Sequence, residues 1–330
     1  MTKLTACLAG TVLCAAVAAQ EVPTRDVIAS VVGDDGKPVT DLRPEEFRAF
    51  LDGRDVPVVS VTRSDMPLSM TAVIDMSSSS RFAPGRFAEE RAESVVDGVL
   101  KDATAADTVR LARVGGMDLF ISPPLPLRTQ PFTARISDAY DCPVSSSPIW
   151  DAVAAAVHAL TGDPHRRLVV LATDGRATAT TLSVTDAAHY ALRMLTAVSV
   201  IDVGVTLTIP QSNGEAAVID PAKTLRWLAA TTGGAYVPDP AHGWGSAVDP
   251  YPLVRRAVAA RRHAYAVTLR LPAGAGGALS VVVTRPETIV LAPSLLDAPP
   301  VELSASLLSR VRDFEKCNRE SSKFEVRSSK

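Results

Sequence analysis

Met70-Thr-Ala-Val-Ile-Asp75-Met-Ser77-Ser-Ser79-Ser80 is an apolar run that delivers an aspartate and then alternate serine hydroxyls. A continuous apolar run of this kind reads as a strand buried on both faces, and a row of hard oxygens at its end suits a divalent cation. Leu168-Val-Val-Leu-Ala-Thr173-Asp174-Gly175 is a second apolar run ending on an aspartate, and Ser145-Ser-Ser147-Pro148-Ile-Trp150-Asp151-Ala152 lies between the two. Around them buried strands alternate with amphipathic helices. Strands are expected over 68–74, 108–114, 119–122, 168–172 and 197–203, and helices over 86–100, 149–160, 185–195 and 221–231, the last ending at Gly233-Gly234. The fold class is α/β, a doubly wound and mostly parallel Rossmann-like sheet. Ligands of such sheets sit outside the carboxyl ends of the strands, where Asp75 and Asp174 both fall.

The flanks have a different texture. Residues 27–32, 48–51 and 56–61 read as short strands separated by turns at Gly33-Asp-Asp-Gly36 and Asp52-Gly53, with Pro57 implying an edge and Pro44 the first position of a short helical turn. After a helix over 252–260, strands return at 263–271, 278–284 and 288–291. Too few strands lie on either side to close a sandwich alone, so one smaller β-sandwich-like domain built from both flanks is expected. The division is 1–19 signal peptide, 20–65 and 262–295 split β-rich domain, 66–261 α/β domain, and 296–330 C-terminal tail, helical at first, with its last dozen residues disordered.

With 330 residues, 47% apolar and 21% charged, the chain can bury a substantial core. A formal net charge of -2 and only 5% aromatic residues give no basis for nucleic-acid binding. Lys3 followed by an apolar stretch from Leu4 to Ala19 matches a secretory signal, with cleavage after Val17-Ala18-Ala19, near Ala19/Gln20. That stretch is short for a membrane span, which needs ~20 residues, so the mature chain is expected to lack a transmembrane segment and to be secreted or periplasmic. Cys7 and Cys14 leave with the signal; Cys142 and Cys317 remain, and nothing in the sequence decides whether they are bridged.

Together these motifs resemble the von Willebrand factor type A family, and within it the secreted bacterial VWFA-related branch, over residues 27–291. Asp75-Met-Ser77-Ser-Ser79 resembles the D-x-S-x-S loop of the family's metal-ion-dependent adhesion site. Ser145 to Ala152 resembles G-G-T-x-L-Y-D-A, with Ser147 where a threonine is usual and two serines replacing the glycines. Thr173-Asp174-Gly175 resembles T-D-G, and Thr231-Thr-Gly233-Gly234 the T-G-G before the final strand. The resemblance implies magnesium or manganese held by Asp75, Ser77, Ser79, Ser147 and Asp174, the three serines ligating directly and the two aspartates partly through water. Neutral hydroxyl ligands leave the ion much of its charge, so it can accept a carboxylate from a partner protein. The function implied is an exported, adhesion-type, metal-dependent protein-binding module without catalysis.

Other readings of the same residues stand beside this one. Ser147, with Pro148 following, could simply cap the helix. A structural envelope protein with a vestigial site would keep the fold without the ion. A serine hydrolase built on Ser77 and Asp174 would need the glycine-flanked nucleophile that Ser77 lacks, and the five histidines lie in no catalytic motif. Removing Asp75 or Asp174 is expected to abolish metal binding and leave the metal-free fold largely intact.

Overall fold

The computed structural model describes residues 23–75, 98–99, 101, 103–114, 119–125, 146–202, 207–210, 216–238, 251–272 and 274–313. Its strands are β1 (Thr24–Gly33), β2 (Phe47–Leu51), β3 (Arg54–Val56), β4 (Val58–Arg63), β5 (Leu68–Asp75), β6 (Thr108–Val114), β7 (Leu119–Ile121), β8 (Arg166–Thr173), β9 (Thr196–Asp202), β10 (Leu207–Pro210), β11 (Ala216–Ile219), β12 (Tyr236–Pro238), β13 (Tyr265–Arg270), β14 (Leu279–Val283), β15 (Thr288–Leu291) and β16 (Val311–Asp313). The helices are α1 (Ile149–Ala159), α2 (Val184–Arg193), α3 (Ala222–Thr232), α4 (Tyr251–Arg262) and α5 (Ala305–Ser309). The helix expected over 86–100 falls mostly outside the described residues, as do the signal segment, Ser77, Ser79, Cys142 and Cys317.

Seven strands form the main sheet in the order β12-β9-β8-β5-β6-β7-β16. The pairs β5–β6, β5–β8, β8–β9 and β9–β12 are parallel, and only the β6–β7 pair is antiparallel before β16 joins β7 in parallel. All eight residues of β5 and all seven of β9 are buried. Their side chains alternate between two cores, as the pleat requires. Val73, Val169, Leu171, Val198 and Val200 face the side covered by α1, α2 and α3, while Met70, Ala72, Leu168, Val170 and Ile201 face Val99 and Val258. Covering both faces removes water from each side of the sheet, which is why these strands read as unbroken apolar runs.

The strands of this sheet that follow one another from β5 to β12 lie in the order β7-β6-β5-β8-β9-β12. The chain therefore builds outward from β5 in one direction, returns, and builds outward in the other, the doubly wound arrangement whose crevice opens at the reversal between β5 and β8.

The flanking segments share a third core. One sheet has the order β15-β1-β13-β4 and the other β14-β2-β3. Between them lie Val27, Ala29 and Val31 of β1, Phe47 and Ala49 of β2, Val267 and Leu269 of β13, and Leu279 and Val281 of β14. Tyr265 fixes the arrangement: its ring packs 5.1 Å from that of Phe47, and its hydroxyl donates to the Val39 carbonyl and accepts from the Leu42 amide. Pro57, expected inside one edge strand, instead ends β3. The ring leaves no N–H for the ladder, and there the chain passes from the β2 sheet to the β13 sheet.

Four short strands carry no readable periodicity in the sequence: β12, β16, and β10 and β11, which pair as a hairpin, each three or four residues long. The C-terminal segment is also less of a tail than expected. Leu296 enters the β-domain core, Leu307 enters the α1 core, and β16 closes the edge of the main sheet.

A buried ion pair ties the α/β domain together. The Asp107 carboxylate accepts from the Leu68 amide, the Thr104 amide and hydroxyl, and both terminal nitrogens of Arg262 at 2.8–2.9 Å. It thereby joins the start of β5, the start of β6 and the end of α4. Burial pushes this carboxyl's pKa up, but the Arg262 and backbone hydrogen bonds outweigh that and hold it below its ordinary value. A depressed pKa contributes stability that is present above the unfolded value of 3.8 and lost as pH falls through the lower folded one. Asp107→Asn should leave the guanidinium without its charge partner and cost about 3–5 kcal/mol. Urea unfolding at neutral pH measures the loss, and the wild-type advantage over the variant should shrink in acid below the ordinary carboxylate range.

Candidate functional site

The reversal between β5 and β8 brings two strand ends side by side. β5 ends on Asp75, and β8 ends on Thr173 with Asp174 next. Asp75 is 5% exposed, a burial that an ionised carboxylate tolerates only when hydrogen-bonded. The Thr173 hydroxyl donates to Asp75 Oδ2 at 2.7 Å, and the Ser147 hydroxyl donates to Oδ1 at 3.0 Å. Both donors are themselves buried. One carboxylate thus holds together residues that lie 72 and 98 positions away in the chain.

Ser147 does not cap α1. The N-cap position falls on Pro148, and no side chain caps that end. The backbone holds Ser147 in place by a reciprocal pair: its amide donates to the Thr178 hydroxyl at 2.8 Å, and its carbonyl accepts from the Thr178 amide at 2.8 Å. With the main chain fixed on both sides, the hydroxyl is directed at Asp75.

Asp174 is 3% exposed. Its Oδ1 accepts from the Arg176 amide at 3.0 Å, while Oδ2, buried, accepts no hydrogen bond from the described residues and lies 3.9 Å from Arg176 Nε. A buried carboxylate oxygen without a hydrogen-bond donor is unusual in a folded protein. Gly175 then turns the chain away with φ +73°; a Cβ there would stand 2.5 Å from that of Pro221, so both conformation and space require glycine.

The loop beyond Gly175 is fastened by a residue to which the sequence reading gave no role. Asp151, fully buried in the first turn of α1, accepts from the amides of Thr181 and Leu182 and the hydroxyls of Thr180 and Thr181. Arg310, from the segment before β16, adds an ion pair to it at 2.8 Å. Thr173 and Thr178 also went unassigned. For Asp151 a signal was available: it is an acid inside the otherwise apolar stretch Ile149–Val157, a position that demands polar partners. Asp202 ends β9 in register with Thr173 and accepts from the Tyr236 hydroxyl at 2.7 Å. Burial, then that hydrogen bond, pushes the Tyr236 hydroxyl up to about 12, so it remains a donor.

Of the five residues proposed from sequence, the structure brings Asp75 and Ser147 into direct contact and sets Asp174 one residue beyond Thr173, the other donor to Asp75. Ser77 and Ser79, two and four residues past the end of β5, lie outside the described residues. No group of three His, Cys, Asp or Glu side chains gathers among the described residues; the polar atoms at this crevice are hydroxyls and carboxylates together.

The larger domain is a doubly wound α/β unit with a mostly parallel sheet and a crevice at the reversal between β5 and β8. Solved structures that resemble it include a von Willebrand factor type A protein from Catenulispora acidiphila, at 11% identity over 88% of this chain and 79% of that one, TM-score 0.43. An aerotolerance-related membrane protein from Bacteroides fragilis is 20% identical over 59% of this chain and 98% of its own, TM-score 0.44. Proximal thread matrix protein 1 from the mussel byssus, with a zinc-occupied metal-ion-dependent adhesion motif, is 13% identical over 60% of this chain and 48% of its own, TM-score 0.39. The sequence matches no family model and no curated protein.

Thr173→Val keeps shape and removes one hydroxyl. It should cost about 1–3 kcal/mol, the penalty for depriving a buried carboxylate of a donor, measured as a lower urea midpoint with an unchanged slope.

Proposed function

We propose that this protein is a divalent-metal-dependent protein-binding module, exported from the cell, in which magnesium or manganese sits at the crevice between β5 and β8. The observation that carries the reading is the buried Oδ2 of Asp174, which accepts no hydrogen bond from the described residues and lies one residue beyond Thr173, whose hydroxyl joins that of Ser147 in donating to the buried Asp75 carboxylate. A hydroxyl that gives its proton to Asp75 keeps oxygen lone pairs for a cation. Ser147 would use them directly, joined by Ser77 and Ser79, with Asp75 and Asp174 acting partly through water. Magnesium prefers such hard oxygen donors and retains waters, one of which a partner's carboxylate would displace. The ion would supply the charge that binds the partner; the chain's residues orient it and reaction chemistry has no part.

The N-terminal apolar segment Leu4–Ala19 supports the export reading, and no helix among the described residues is long and apolar enough to cross a membrane. Intact mass of native material should begin near Gln20.

Metal at 100 times Kd stabilises the native state by about 2.7 kcal/mol, so millimolar magnesium or manganese should raise the melting temperature, with a calorimetric heat and reversal by chelator. Asp174→Asn should abolish that shift. Asp75→Ala is the poorer variant. The expectation that it leaves the metal-free fold intact does not survive the burial of Asp75, because its loss strands the Ser147 and Thr173 hydroxyls. A wild type indifferent to both metals would leave the vestigial, structural reading.

A further inference from the structure

The ion pair at Asp174 is built unlike those at Asp107 and Asp151. Arg262 reaches Asp107 at 2.8 Å and Arg310 reaches Asp151 at 2.8 Å, each through a hydrogen bond. Arg176 Nε instead stands 3.9 Å from Asp174 Oδ2, beyond hydrogen-bond reach, although the two side chains are only 21% and 4% exposed. That oxygen accepts no hydrogen bond from the other described residues either. Both ends of the arginine's segment are fixed. Its amide donates to Asp174 Oδ1 at 3.0 Å, and two residues on, Thr178 exchanges hydrogen bonds with the Ser147 main chain. The guanidinium is thereby kept beside the carboxylate that ends the β8 side of the crevice.

At this separation a guanidinium supplies charge without taking up a lone pair. Its charge offsets part of the cost of burying the Asp174 carboxylate, because an opposite charge nearby favours the ionised form. The lone pairs of Oδ2 stay available to a further ligand. A divalent ion that approaches the same carboxylate meets a like charge close by, in surroundings that screen it less than bulk water does. The effect acts through space and requires no access of solvent to Nε.

We infer that Arg176 is a built-in counter-charge: it stands in for the divalent ion in the metal-free protein and lowers the affinity of the β5–β8 crevice for that ion. The inference rests on the metal reading above and adds what tunes that site. Arg176 is no ligand of the ion; it acts on it through Asp174, and the ion binds in competition with the protein's own guanidinium. A purely structural arginine would weaken the fold when replaced, but its loss would not tighten metal binding.

Magnesium chloride and manganese chloride are the probes, titrated calorimetrically into the metal-free full chain at constant ionic strength, for wild type, Arg176→Met and Arg176→Lys. Arg176→Met should bind either metal about fivefold or more tightly than wild type. Arg176→Lys keeps a positive charge on the loop and should gain less than Arg176→Met. An affinity in Arg176→Met equal to or weaker than that of a metal-binding wild type overturns the counter-charge and leaves the metal site standing. An equal gain in both variants overturns it too, because bulk rather than charge would then be responsible. Metal binding by Arg176→Met alone supports both the site and its tuning, and binding by none of the three proteins overturns both.

Discussion

Burial of β5 on both faces is the constraint from which the rest follows. With every one of its eight residues inside, the strand has no solvent face, so helices must cover both sides and its neighbours must pair on both edges. Its two ends are then where its carboxylate contacts gather. At the start, the Leu68 amide is taken by Asp107; at the finish, Asp75 collects the hydroxyls of β8 and of the segment leading into α1. The same strand thus carries a structural carboxylate cluster at one end and the candidate site at the other.

The two clusters differ in how fully their carboxylates are hydrogen-bonded. Asp107 is saturated, with backbone, hydroxyl and guanidinium donors around it, and its pKa falls as that saturation dictates. Asp151 is likewise saturated, by the loop over 180–182 and by Arg310. Asp174, one residue beyond Thr173, keeps a buried oxygen that accepts no hydrogen bond from the described residues. Saturated buried carboxylates hold a fold together; an unsaturated one costs stability and persists where something else completes it.

Much of the architecture was legible because the physics is local. Continuous apolar runs gave β5, β8 and β9 nearly to the residue, Gly233 in the left-handed conformation ends α3 where a helix C-terminus should fall, and Asp75 and Asp174 lie at strand ends as the pattern required. What escaped was non-local. Three-residue strands such as β12 and β16 carry no periodicity, and only an existing sheet edge defines them. Ser147 beside Pro148 has the local pattern of a helix cap, and only the tertiary pairing with Thr178 turns its hydroxyl to Asp75. Asp151 stands out as an acid in an otherwise apolar stretch, but only the fold shows that its partners are the loop over 180–182 and Arg310.

The fastening of that loop has a consequence for the crevice. Asp174 and Gly175 begin the loop, Thr178 grips Ser147 from its middle, and Asp151 holds its end. Asp151 and Ser147 both flank the start of α1, so the helix and the loop position each other, and the C-terminal segment locks the pair through Arg310. A hydroxyl set within hydrogen-bond distance of Asp75 by such a closed circuit loses little further freedom when it takes up an additional ligand. Preorganisation of that kind is what lets neutral oxygen donors compete with water for a small cation.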